Sequence, residues 1–179
     1  MKRFIVCCTV VFVVAGAYAR SEPFQASLTP DIAIHDSDVM IEGLTLSIWG
    51  QNPQKALSLG VANGSTGESS GFSWGLLLNY ADSYKGIHWG LVNYAKQDFL
   101  GWQHGGINYT GGLAKGVQTG WVNYARQLTG LQLGLVNFAG SAENGVQLGI
   151  LNIMQETDTW FTEFPDAVSP GMVFVNWRF

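Results

Sequence analysis

Three histidines and a few carboxylates are the residues of this chain best equipped for chemistry. His88 and His104 hold similar places in neighbouring stretches, "GIHWGLVNYA" (86–95) and "GWQHGGINYT" (101–110). A shared metal would need both rings on one face. Alternation along an extended chain puts His88 with Gly86 and Gly90 but His104 with Trp102 and Gly106, so the rings point apart. His35 lies in "DIAIHDSD" with Asp31, Asp36 and Asp38. That set could hold a hard cation weakly, yet it reads first as a solvated loop. Ser73 and His88 could meet on adjacent strands as nucleophile and base, but the neighbouring strands supply no carboxylate to orient the imidazole. "GESSG" (67–71) lacks the helix that follows a nucleophile elbow. The expectation is no enzyme, no cofactor and no metal site.

Two other patterns could bind rather than react. Gln103, Gln118, Gln132 and Gln147 recur with Asn79 and Asn176 and suit a polar interior: a narrow pore or sugar-binding lumen, or, read first, one filled by side chains bonded to one another. The connection "QETDTWFTEFPDAVSP" (155–170) sets Trp160, Phe161 and Phe164 among four acidic residues. Exposed aromatics dominate recognition surfaces. These three are therefore the candidate partner-binding residues, for a surface partner or a glycan; the same stretch could instead be a flap over one end of the fold.

The elements that must position these residues start from the N-terminus. "MKRFIVCCTVVFVVAGAYAR" has Lys2 and Arg3, an apolar run over 4–14, and Ala17-Tyr18-Ala19 before Arg20. This is the pattern of a secretory signal peptide, residues 1–19, too short to span a bilayer as a helix. It leaves residues 20–179 as a single β domain. Both cysteines fall inside the signal, so the mature chain is expected to have neither a disulfide nor a thiolate site. Losing Lys2 and Arg3 takes the formal charge from -4 to -6. An acidic chain with no basic run argues against nucleic acid as a partner.

The rest is a repeat. Asn63, Asn79, Asn93, Asn108, Asn123, Asn137 and Asn152 are spaced by 16, 14, 15, 15, 14 and 15 residues. The unit is G-φ-Q-x-G-φ-φ-N-aromatic-A, with φ apolar. Its five regular copies (86–95, 101–110, 116–125, 130–139, 145–154) contain no Asp, Glu, Lys or Arg. Charges fall between them, at Lys96, Asp98, Lys115, Arg126 and Glu143. Two glycines per copy disfavour a helix by about 2 kcal/mol, and the aromatic and β-branched content favours strands.

Two all-β architectures can use this unit. One is an up-and-down antiparallel barrel of ten strands, of the small outer-membrane kind. The other is a parallel β-solenoid or β-roll with one coil per repeat. Charge-free strands of about ten residues suit lipid, where a midplane Arg or Lys costs about 2–4 kcal/mol. Long connections fall on one rim, the strand count is even, and "MVFVNWRF" closes the chain as an alternating aromatic strand. These features favour the barrel; the Tyr80, Tyr94, Tyr109, Tyr124 and Phe138 column reads as its interfacial girdle, or equally as an aromatic stack along a solenoid. The asparagine column fits the barrel poorly: continuing the alternation puts Asn93, Asn123, Asn137 and Asn152 on the lipid side.

The repeats resemble those of uncharacterised bacterial surface-repeat proteins with the phrase G-x-Q-x-G-φ-φ-N, and the last strand resembles the C-terminal signal of outer-membrane barrels. The resemblance covers about residues 43–154. It implies export or surface placement and carries over no catalytic residue. The expected protein is thus an exported envelope protein of structural or interactive role, with the outer-membrane bilayer as partner; the alternative is a surface-attached solenoid that binds or adheres. Leu135→Arg separates the two. It should block membrane assembly of a barrel, yet leave a solenoid folded if Leu135 faces outward, as read by heat-modified mobility and circular dichroism.

Overall fold

The computed structural model describes residues 21–156 and 160–179; the signal-peptide reading falls outside them. Eight strands form one sheet: β1 (Ser21–Thr29), β2 (Ile32–Ala33), β3 (Met40–Asn52), β4 (Lys55–Ala95), β5 (Phe99–His104), β6 (Ile107–Thr119), β7 (Val122–Met154) and β8 (Gly171–Arg178). A strand of 41 residues is no single extended segment. β4 and β7 wind through several turns of a parallel β-solenoid of about eight coils.

The expected ten-stranded barrel is therefore wrong. Successive repeats pair in parallel and in register: Gly86 with Gly101, Asn93 with Asn108, Gly116 with Gly130, Gln118 with Gln132. Only the ends run antiparallel, where β2 folds back on β1 and β8 on the last coil of β7. The constant period is the perimeter of a coil, and the connections read as outer loops and turns are its bends.

The bends also explain the asparagine that disturbed the alternation. Each coil turns at its second glycine. Gly105 N–H donates forward to Thr119 C=O, while Gly106 N–H donates back to Leu91 C=O. This corner shifts the phase of alternation, so Gln103 and Asn108 both point inward although five residues separate them. The carbonyl just before the corner takes a second bond, from an asparagine side chain. The Asn93 amide, from the coil before, donates to His104 C=O at 2.9 Å and to Asn108 Oδ1 at 2.8 Å. Asn63, Asn79, Asn108, Asn123 and Asn137 repeat this double bond. A buried polar side chain is tolerated only when bonded, and the asparagine meets that condition while stitching coils together.

The glutamines form a second ladder. Gln118 Nε2 donates to Gln103 Oε1, Gln132 to Gln118, and Gln147 to Gln132, at 2.6–2.7 Å. Apolar interior contributions are small: Ala81, Tyr84, Ala95 and Phe99 form one cluster, and Ala114, Ala125, Leu128, Ala139, Ala142 and Met154 another. The ends are closed. Gln25 bonds Asn52 Oδ1 and both backbone groups of His35 at the first coil; Asn176, buried on β8, lies opposite Gln147 and bonds Ser169 C=O. Such caps protect solenoid edges from further pairing.

Two outcomes follow from this stacking. Asn108→Leu, close in volume, removes three amide bonds from a dry interior and should cost about 3–5 kcal/mol in urea unfolding. Gly116 has φ of 130°, and a Cβ there would lie 2.1 Å from Gly101 O, whereas one at Gly171 would meet nothing within 4 Å. Gly116→Ala should therefore fail to give folded protein by circular dichroism, and Gly171→Ala should fold normally.

Candidate functional site

With Gln and Asn inside, the apolar residues of the repeat go outside. Each coil has three outward sides. The side between the two glycines carries pairs such as Ile87/Trp89, Leu131/Leu133 and Val146/Leu148. The side after the second glycine carries Val92/Tyr94, Ile107/Tyr109 and Val122/Tyr124. These two apolar sides meet at the corner, where Leu76, Leu91, Trp121, Leu135 and Ile150 stand in file as a ridge. Trp121 and Ile150 are each 63% exposed there. Six coils at about 4.8 Å make the ridge about 24 Å long. The third side holds the charges: Asp82, Lys96, Asp98, Arg126 and Glu143. The molecule is a prism with two apolar faces and one polar back.

Large contiguous apolar surface marks an interaction site. Some of its polar groups pair with one another. Thr119 Oγ1 accepts Trp102 Nε1 at 2.9 Å and meets His104 Nδ1 at 2.8 Å. Gly106 interrupts the ridge, and Trp74, Leu76, Trp89, Leu91, His104 and Trp121 surround a groove of about 620 Å³ above the glycines there. The tyrosines bordering the charged back are stacked, with ring centroids 5.0 Å apart for Tyr94–Tyr109 and 4.7 Å for Tyr109–Tyr124. They form the aromatic stack of a solenoid, the second of the two readings of this column, and not the girdle of a barrel.

The residues singled out for chemistry are scattered. His88 is inside and His104 outside, as alternation indicates. Ser73 Oγ bonds Asn79 Oδ1 at 2.8 Å and makes no bond to His88. His35 serves through its backbone, and among the described residues no three His, Cys, Asp or Glu side chains gather as metal ligands. Trp160, Phe161 and Phe164 are all more than half exposed, beside the C-terminal cap. Trp160 lines an apolar hollow with Leu151, Ile153, Met172 and Val173, which joins it to the apolar surface. Phe164 instead leans on Trp177, at 6.3 Å between rings. The ridge itself was missed in the sequence. Its signal was the φ that follows the second glycine, which simple alternation assigns to the same side as its neighbours.

His88 interrupts the glutamine ladder. It takes the place of a glutamine below Gln103, packed between Tyr84 and Phe99 with centroids at 4.0 and 5.1 Å. Neither ring nitrogen has a partner, and Gln103 Nε2 and the Tyr84 hydroxyl lack one as well. Burial pulls the His88 pKa down to about 3 and pushes the Tyr84 hydroxyl up.

No protein-family model, curated protein or solved structure matches the chain.

His88→Gln should complete the ladder and raise stability by about 1–3 kcal/mol in urea unfolding. The pH dependence has a definite sign. The folded state holds His88 neutral, whereas the unfolded chain protonates it near its ordinary value of 6.5, so the unfolded state binds more protons between the two values. The histidine protein should lose stability as pH falls from 6.5 towards 3, by at most about 1.4 kcal/mol per pH unit from this group. His88→Gln should lack that component.

Proposed function

We propose that the protein is an exported, non-catalytic interaction module that works through the outer surface of its solenoid. The observation that carries this reading is the charge-free ridge, with an apolar face on either side of it. Burying an exposed Leu or Ile side chain is worth about 1.5–3 kcal/mol, and a file of them left in water is a standing drive towards association. The N-terminal pattern of residues 1–19 supports export, and the likeness to surface-repeat proteins supports a place on the cell surface. The aromatic loop extends the same surface at one end, because Trp160 lines the hollow beside Leu151 and Val173. A catalytic reading finds no support, since the only buried histidine has no nucleophile or carboxylate bonded to it.

The test compares the parent chain with a Leu135→Arg/Ile150→Arg variant. The parent should self-associate in sedimentation, become monodisperse in octyl glucoside, and enhance anilinonaphthalene sulfonate fluorescence. The variant should be monomeric without detergent, with an unchanged circular dichroism spectrum, and should lose at least half of the dye signal. Arg126→Glu, on the polar back, should behave as the parent. A parent chain that is monomeric in water and silent to the dye would refute the reading.

A further inference from the structure

We infer that the occupant of the ridge is a lipid surface, into which the solenoid seats ridge first without spanning it. This rests on the interaction reading above and names its partner. Three features point to lipid.

The first is shape. The two apolar faces slope away from a convex edge, with Leu135 and Ile150 at its crest. A second copy of the chain, or any rigid partner of ordinary shape, covers one slope and leaves the other in water. Acyl chains flow around both.

The second is the order of residue types away from the crest. Aliphatic side chains and Trp121 come first, then the stacked tyrosines Tyr94, Tyr109 and Tyr124, then the charged back. Apolar core, aromatic border and charged exterior is the sequence of environments met on leaving a bilayer. On the other slope the border residues include Lys85 and Lys115, both exposed. Their stems can lie along the apolar surface while the ammonium groups reach lipid phosphates.

The third is polar satisfaction. Lipid admits only backbone whose N–H and C=O groups are bonded internally. Here coil-to-coil pairing bonds the strands, and at the corners Thr119 C=O and Leu133 C=O each accept both a backbone N–H, from Gly105 and Gly120, and an Asn amide. His104 and Thr119, the polar side chains on the slope, bond each other. These bonds lower the cost of setting the corner against lipid without a barrel.

Vesicle flotation with the full chain decides the matter. Vesicles of phosphatidylcholine alone, and of phosphatidylcholine with one-fifth phosphatidylglycerol, are the probes. The parent should float with both, shift its tryptophan emission to the blue, and be quenched by phosphatidylcholine brominated in the acyl chains. Leu135→Asp/Ile150→Asp should reduce the bound fraction at least tenfold while keeping the circular dichroism spectrum. Arg126→Glu should bind as the parent does. Every variant retains residues 1–20, so that any contribution of this segment is common to all. A parent that stays at the bottom of the gradient overturns the inference, and so does an aspartate variant that floats equally well. If the parent fails to float but forms a dimer in water that Leu135→Arg/Ile150→Arg disperses, the lipid assignment falls while the interaction surface stands. If it neither floats nor associates, both fall.

Discussion

Each coil of this protein turns a corner at a glycine, and the carbonyl just before it, such as Thr119 C=O or Leu133 C=O, accepts a backbone N–H from the preceding coil and has a second lone pair to fill. The asparagine of the preceding coil adds the second bond to that carbonyl, and its own oxygen accepts from the amide of the asparagine before it. The rest of the structure depends on this exchange. An isolated buried amide is costly, and a single one bonded to a backbone group contributes only about 1 kcal/mol net. Repeated through Asn63 to Asn152 it becomes a continuous column. Every member is satisfied by its neighbours, which ties the register of each coil to that of the next. The glutamine ladder runs along the other wall from Gln103 to Gln147, where Gln147 Oε1 ends it without a partner. Where His88 replaces a glutamine the column breaks, and four polar atoms are stranded.

A polar interior has an unavoidable consequence outside. Strand side chains alternate, and in this repeat the residues between the inward-facing Gln, Asn and Ala are mostly large and apolar, so these face outward. The usual arrangement of a soluble solenoid is inverted on two of three sides, and the charges are left with only the third. The two apolar faces and their ridge are thus the other half of the pattern that builds the ladders, and the function we assign grows out of the same choice.

The caps show how the fold stops. Gln25 closes the first coil through Asn52 and His35, and β8 lies antiparallel along the last. The aromatic loop with Trp160, Phe161 and Phe164 sits beside this second cap. It joins the apolar surface through Trp160 alone, because Phe164 turns to Trp177.

The repeat period, the strand character, the charge-free phrases and the opposite facing of His88 and His104 were legible in the residues alone. So was a glutamine column bonded to itself. Each of these depends on local alternation or composition, which neighbouring residues set. What the residues could not decide was whether charge-free strands face lipid around a barrel or stack into coils. Both need period-2 alternation and both exclude charge from the apolar side. The misplaced asparagine marked the difference, but its meaning lies in the corner at the second glycine, where the phase changes. That corner exists only because Gly106 bonds back to Leu91 while Gly105 bonds forward to Thr119. Bonds between residues about fifteen apart are a property of stacked coils, and only the tertiary structure could settle them. The sequence by itself determined that the protein repeats, is built of strands and keeps charge off their apolar sides. The stacking decided that its amides are inside and its leucines and tryptophans meet at an edge.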